Sequence, residues 1–309
     1  MQLGLVGLGR MGANMRERLR RAGIDVLGYS RTSPSRDVDS LTELASRLTP
    51  PRAVWVMVPA GTPTRATITQ LAELLQQDDV VVDGGNSRYT DDQVHAQLLA
   101  ERGIGYLDCG VSGGIWGRDN GYALMVGGAA EHVQQLMPVF DALRPPGPRE
   151  EGFVHAGCVG AGHFAKMVHN GVEYGLMQAY AEGFELLQAT PLITDVPAVL
   201  RAWQRGTVVR SWLLDLLVAA LQEDPKLTGI RGWVDDSGEG RWTVEEAINH
   251  AVPLPVISAA LFARFASRQS DSPAMRAVAA LRRQFGGHAV QPADPGSAST
   301  HPDPPKSPT

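Results

Sequence analysis

The sequence predicts an α/β domain with a doubly wound sheet, followed by an all-α domain, and three observations carry that reading. Short apolar runs at 3–6, 24–29, 53–58 and 80–82 alternate with helical patterns, the β-α-β order of a mainly parallel sheet. A glycine-punctuated turn, Gly7-Leu8-Gly9-Arg10-Met11-Gly12, stands between the first run and the first helical pattern. From about Val159 the strand-like runs stop and helical spacing takes over. The expected division is 1–158 for the sheet domain, 159–285 for the helical domain and 286–309 for a tail rich in Pro, Ser, Gly and Thr. That tail has almost no large apolar residue, so disorder is expected there.

Each early element has its own justification. The first strand, 3–6, leads into the glycines, and a helix runs to about Ala22, closed by Gly23. The second strand occupies 24–29. Strand, Gly-x-Gly-x-x-Gly and helix in that order make a Rossmann-like dinucleotide site. Gly7 permits the tight turn, Gly9 lets a pyrophosphate approach the backbone, and Gly12 lets helix and strand pack closely. The phosphates then rest on free N–H groups at the helix N-terminus, beside Arg10 and Met11. After the second strand the chain reads Ser30-Arg31-Thr32 where an NAD site would carry an acid. A guanidinium and hydroxyls bind a ribose 2′-phosphate, so NADP is expected, with NAD as the alternative. Val58, at the end of the third strand, 53–58, completes the expected cofactor contacts.

Further strands are expected at 80–82, 105–108 and 123–126, with helices at 67–75, 95–102 and 131–143. Asp83-Gly84-Gly85-Asn86-Ser87 and Val111-Ser112-Gly113-Gly114 follow two of these strands. Ligands of open α/β sheets bind beyond the carboxyl ends of strands, which makes Asn86, Ser112, Gly113 and Gly114 candidates for ligand contact. In the second half, helices are expected at 170–188, 197–204, 211–223, 244–249 and 256–267. Trp203, Trp212, Trp233 and Trp242 are expected to pack the core.

The stretch from Lys166 to Tyr174 reads Lys-Met-Val-His-Asn-Gly-Val-Glu-Tyr. At ~100° per residue Lys166, Asn170 and Glu173 share one helix face, with His169 beside them. Gly171 and Gly175 inside the helix each cost ~1 kcal/mol against Ala, so a close neighbour is expected there. A neutral Lys166 takes an alcohol proton as hydride leaves the carbon, and once protonated it stabilises the new carbonyl. Glu173 then has a use as the acid that protonates carbon, if a β-keto acid loses CO2 and leaves an enediol. No metal is needed.

Bulk properties narrow the classes. Hydrophobic residues make up 43% and charged residues 20%, a globular balance, and the formal net charge of −5 gives no reason to expect nucleic acid or anionic membrane. The two cysteines, Cys109 and Cys158, have no metal-ligand spacing. No apolar run spans a bilayer and the first strand begins at once, so a cytoplasmic protein is expected.

With these motifs together, the chain resembles the 6-phosphogluconate dehydrogenases over roughly residues 1–270. The resemblance implies oxidative decarboxylation of 6-phosphogluconate to ribulose 5-phosphate and CO2, with a nicotinamide cofactor reduced. It implies Lys166 as base and then acid, and Glu173 as the acid at carbon. Asn86, Ser112, Gly113, Gly114, His169 and Asn170 would hold the substrate's carboxylate and hydroxyls, with Tyr174 and Arg264 at its phosphate. Asn86 would also touch the cofactor. A homodimer or homotetramer is implied.

Departures from the family pattern mark this chain. Long members have a second half that supplies an arginine and a histidine to a partner subunit's site, and this chain resembles the short bacterial branch. Glu239 stands near the place of a phosphate-binding threonine, and Arg241 is the residue that offsets its charge. Ile115-Trp116 replace acidic residues. Short members often prefer NAD, whereas Ser30-Arg31-Thr32 looks like the NADP-linked long forms. The rival readings are a β-hydroxyacid dehydrogenase acting on a substrate such as 3-hydroxyisobutyrate, and a non-catalytic NADP-binding module. The Asp83–Ser87 motif and the pairing of His169 with Glu173 argue against the first, and intact Lys166, Asn170 and Glu173 argue against the second.

Overall fold

Residues 1–291 are described in a computed structural model. They form two compact units, the first reaching His169 and the second beginning at Asn170.

The first unit is built on a seven-stranded sheet. Its strands and helices in chain order are β1 (Gln2–Val6), α1 (Arg10–Arg21), β2 (Asp25–Tyr29), α2 (Leu41–Arg47), β3 (Ala53–Val56), α3 (Thr62–Leu74), β4 (Val80–Asp83), α4 (Tyr89–Ala100), β5 (Gly105–Ser112), α5 (Gly117–Asn120), β6 (Ala123–Gly128), α6 (Ala130–Gln135), α7 (Met137–Leu143) and β7 (Phe153–Gly157). Spatial order is β2-β1-β3-β4-β5-β6-β7. Every neighbouring pair is parallel except β5 with β6, which pair antiparallel from Leu107 opposite Gly128 to Ser112 opposite Ala123.

Parallel strands covered on both faces read as continuous apolar runs, and Val80-Val81-Val82 shows why. Val80 and Val82 join one core with Leu3, Leu5, Met15, Trp55 and Phe140. Val81 joins the opposite core with Val54, Leu44, Ile68 and Leu99. The Trp55 indole meets the Phe140 ring edge-on at 5.9 Å. A fully buried aromatic of this kind contributes about 1.5–3 kcal/mol through area alone.

The second unit is helical. The long helix α8 (Ala161–Ala189) starts in the first unit and continues into the second. It is followed by α9 (Val196–Trp203), α10 (Trp212–Glu223), α11 (Glu239–Asn249), α12 (Pro255–Ser267) and α13 (Pro273–Gly286). Polar caps set several starts: Asp195 accepts from Ala198 N–H at 2.9 Å and Ser211 from Leu214 N–H at 3.1 Å. Val196, Leu200, Leu214, Val218 and Leu221 form one core between α9 and α10, with Tyr180 and Phe184 of α8 against it. Tyr174, Ala260 and Leu261 form another.

The expected α/β sheet domain followed by helices is the observed architecture, with differences in detail. The 131–143 helix is two helices, since Pro138 stands in the first turn of the second. β3 ends at Val56, so Val58 lies beyond the strand. Ser112 closes β5 rather than sitting in a loop. β7, α2 and α13 are additional elements. Trp212 and Trp233 are 50% and 46% exposed, which corrects their assignment to the core. Trp203 does pack against the α9–α10 core. The expected tail, 286–309, lies outside the described residues from 292 onward. Among the described residues no helix is long and apolar enough to cross a membrane.

Candidate active site

The first part of the site is a cleft of about 390 Å³ at the carboxyl ends of β1, β2 and β3. Gly7 turns the chain there with φ +98°, and a methyl group on it would come within 2.2 Å of the Met57 carbonyl oxygen. Gly9 caps α1 without a side chain and has open space where a Cβ would stand. The first turn of α1 carries no acidic residue. Backbone N–H groups and an unobstructed glycine suit a pyrophosphate, so the residues present fit a dinucleotide.

Ser30, Arg31, Thr32 and Val58 line this cleft. Buried Ser30 shapes the loop, its Oγ accepting from the Thr32 N–H at 3.3 Å and the Ser33 N–H at 3.2 Å. The nearby carboxylate, Asp37, is engaged elsewhere. It accepts from the Gly28 N–H at 2.8 Å and pairs with Arg20 at 2.7 Å and Arg16 at 3.2 Å. Burial pushes its pKa up, but Arg20, the Gly28 amide and Arg16 together hold it below the usual carboxylate range. The end of β2 therefore presents a guanidinium and hydroxyls toward the cleft. Arg10, Met11, Gly12 and Asn86 lie outside the cleft lining; Met11 packs against the sheet core.

The 83–87 loop is organised from below. Buried Asp83 accepts from the Gly85 N–H at 2.9 Å and the Ser87 hydroxyl at 2.7 Å, which leaves Asn86 exposed at the apex. Ser112 ends β5, and its Oγ lies 3.5 Å from His169 Nε2. Gly113 and Gly114 both have positive φ, +137° and +53°. Lys166 lies over β5, where a methyl group at Gly110 would come within 2.4 Å of its Cβ. Lys166, His169, Asn170 and Glu173 all belong to α8, and their spacing puts them along one side of it.

In the second unit Tyr174 and Arg264 meet directly. The Arg264 guanidinium lies 3.5 Å from the centre of the Tyr174 ring and donates to the Asp235 carbonyl at 3.0 Å. Burial raises the Tyr174 pKa, against Arg264, which lowers it. Arg241 is held by Asp236 at 2.8 and 3.1 Å and lies over the Phe265 ring at 4.4 Å. Glu239 is buried and accepts from the Ser237 hydroxyl at 2.6 Å. The expected close neighbour of Gly171 is Thr243, whose Cγ2 would come within 2.7 Å of a methyl group there.

Sequence reasoning overlooked a buried group under the start of α8: Asp92, Asp108, His163 and Tyr106. A signal was present, since an acid at the end of the apolar run Gly105-Tyr106-Leu107-Asp108 needs a buried partner. Asp83, Asp92 and His95, and likewise Asp92, Asp108 and His163, cluster as metal ligands do. Their carboxylates, however, already accept from N–H and O–H donors.

Comparison with known proteins identifies the family. The profile of the NAD binding domain of 6-phosphogluconate dehydrogenase matches residues 2–145, and that of the 6-phosphogluconate dehydrogenase C-terminal domain matches 162–297. The NAD(+)-dependent, decarboxylating 6-phosphogluconate dehydrogenase of Haloferax volcanii is 42% identical over 300 residues, 94% of this chain and 98% of that one. The NADP(+)-dependent, decarboxylating enzyme of Bacillus subtilis is 34% identical over 87% of this chain and 62% of its own length. Among solved structures, Plasmodium falciparum 6-phosphogluconate dehydrogenase superposes with a TM-score of 0.77 at 25% identity, covering 96% of this chain and 67% of that one. Two matching domains in the same order, and a relative similar over nearly its whole length, establish that the chain belongs to the 6-phosphogluconate dehydrogenase family.

Proposed function

We propose that the chain oxidises and decarboxylates 6-phosphogluconate to ribulose 5-phosphate and CO2, with NADP preferred to NAD. The observation that carries this reading is α8, which bears Lys166, His169, Asn170 and Glu173 along one side. Bound in the β1–β3 cleft, the nicotinamide cofactor supplies the hydride acceptor. Lys166 takes the substrate's hydroxyl proton as hydride departs, then donates it back to the carbonyl oxygen and stabilises the charge that develops when CO2 leaves. Glu173 delivers a proton to carbon while the enediol hydroxyl returns its proton to Lys166, converting the enediol to the ketone. Asn86, Ser112, Gly113, Gly114, His169 and Asn170 orient the sugar acid. Tyr174, Arg264 and Arg241 receive the phosphate, with Asp236 fixing the Arg241 fork.

The NADP preference rests on Arg31 and Thr32 facing the cleft while Asp37 is bound to Arg16, Arg20 and Gly28. The protein acts in the cytoplasm as a homodimer or homotetramer. Exposed Val172, Leu176 and Leu186 along α8 support the assembly, and light scattering on the purified chain tests it.

The deciding experiment follows reduced nicotinamide absorbance with 6-phosphogluconate and either NADP or NAD, with 3-hydroxyisobutyrate as the control substrate. Turnover of 6-phosphogluconate, faster with NADP, is expected. Preference for NAD removes the role given to Arg31. Faster turnover of 3-hydroxyisobutyrate overturns the substrate.

A further inference from the structure

We infer that His163 is a positioning residue for Lys166, acting through the register of α8 on the sheet. The inference rests on the proposed role of Lys166 as proton acceptor.

Helix α8 has no capping side chain of its own, because the residue before it is Gly160. Asp108 of β5 supplies the cap instead. Its Oδ1 accepts from the Gly160 N–H at 2.7 Å and its Oδ2 from the His163 N–H at 2.8 Å, all within the buried interior. A carboxylate bridging two amides of a helix's first turn is favoured by the free donors and by the dipole. Two bonds from one carboxylate fix the start of the helix on β5.

Rotation about the axis is tied down further by the His163 side chain. Its Nδ1 lies 2.8 and 2.9 Å from the two oxygens of Asp92 on α4, and Asp92 in turn accepts from the Tyr106 hydroxyl of β5 at 2.7 Å. Among the described residues the His163 Nε2 has no hydrogen-bond partner, so the ring's hydrogen bonding runs through Asp92. Backbone packing makes the register exacting. A methyl group at Gly162 would come within 2.4 Å of the Met125 carbonyl oxygen, and one at Gly110 within 2.4 Å of Lys166 Cβ. Lys166 follows His163 by three residues, about 4.5 Å along the axis and on a neighbouring face. A small turn of α8 about the Asp108 cap therefore carries the Lys166 amine away from the reacting oxygen. Displacements near 1 Å cost about 100-fold in rate.

The test compares His163→Leu, which removes the donor, with His163→Asn, whose amide replaces Nδ1–H. Circular dichroism checks that each variant is folded. His163→Leu is expected to lower kcat about 10- to 100-fold while the KM values for 6-phosphogluconate and NADP stay within about threefold, and His163→Asn recovers most of the rate. A folded His163→Leu with wild-type kcat overturns the inference, as does a loss confined to KM. Should His163→Leu fail to fold, Tyr106→Phe removes only the hydroxyl that holds Asp92. It is expected to lower kcat about 3- to 10-fold, again with KM unchanged, and an unchanged kcat overturns the inference. Reductive methylation of Lys166 relative to Lys226, read by peptide mass spectrometry, does not depend on turnover. If the wild type fails to turn over 6-phosphogluconate, the proposed function has failed. Positioning is then judged by Lys166 labelling, which must change in His163→Leu and revert in His163→Asn; unchanged labelling overturns it.

Discussion

Replacing His163 with Asn should remove a specific pH dependence of stability. In the native protein burial pushes the imidazole pKa down. The ionised Asp92 carboxylate, with Asp83 and Asp108 behind it, outweighs this and raises it to about 9 from an ordinary value of 6.5. A raised histidine contributes stability that is complete below pH 6.5 and is lost as pH rises through 9. A shift of that size corresponds to about 3 kcal/mol. Burial raises the Asp92 carboxyl to about 6, against the pull of His163, so the end of its own titration overlaps the start of this window. Thermal melting of wild type and His163→Asn between pH 6.5 and 9.5 tests the effect, Asp92 being the one other group whose titration the substitution shifts, upward, because it loses the pull of His163. The wild type should lose about 6–12 °C more than the variant across that range, for a unit of this size. Parallel curves would refute the assignment of a charged His163–Asp92 pair.

Three further outcomes follow from the site. Lys166→Met should abolish hydride transfer yet leave NADPH binding, followed by fluorescence, within about twofold; measurable turnover would show that another group takes the proton. Glu173→Gln should slow the steps after oxidation most, so single-turnover runs should show reduced cofactor forming ahead of ribulose 5-phosphate, and unaltered kinetics would remove its role. Arg31→Ala should cost about 1.5–3 kcal/mol in NADP binding, roughly 10- to 100-fold, and little with NAD; equal losses for both would end the case for a 2′-phosphate contact.

What the sequence made legible depended on whether a signal was local. The β1–α1–β2 unit was plain because the turn itself demands glycine at Gly7 and Gly12, whatever surrounds it. The polar side of α8 was plain because Lys166, His169, Asn170 and Glu173 stand at helical spacing on one helix. Helix α2 was missed although its signature was present: Ser40 accepts from the Glu43 N–H while Glu43 accepts from the Asp39 N–H, a variant of the reciprocal cap. Strand β7 had weaker support, since its three central residues are exposed and it shows no apolar alternation. Trp212 and Trp233 looked like core residues by type alone, and type does not say which side of a helix or loop faces solvent. The support beneath Lys166 was invisible for another reason. His163 and Asp108 are 55 residues apart, and His163 and Asp92 are 71 apart, so no local pattern joins them.

The continuity of α8 bears on how such proteins can be recombined. The boundary between the two compact units falls between His169 and Asn170, inside an uninterrupted helix of 29 residues. Lys166 and Glu173 lie on opposite sides of that boundary, about 10.5 Å apart along one axis. Their spacing belongs to the helix alone. A hybrid spliced at 158/159 would carry both groups, the proposed proton carriers, into the foreign sheet, but would leave behind Asp92 and Asp108, to which the helix is keyed. A splice at 169/170 keeps that keying and separates the two groups by parentage. In either design α8 and the strand–helix pair β5 and α4 have to be inherited as one matched set, so the portable module of this chain is smaller than a domain and crosses the border between two.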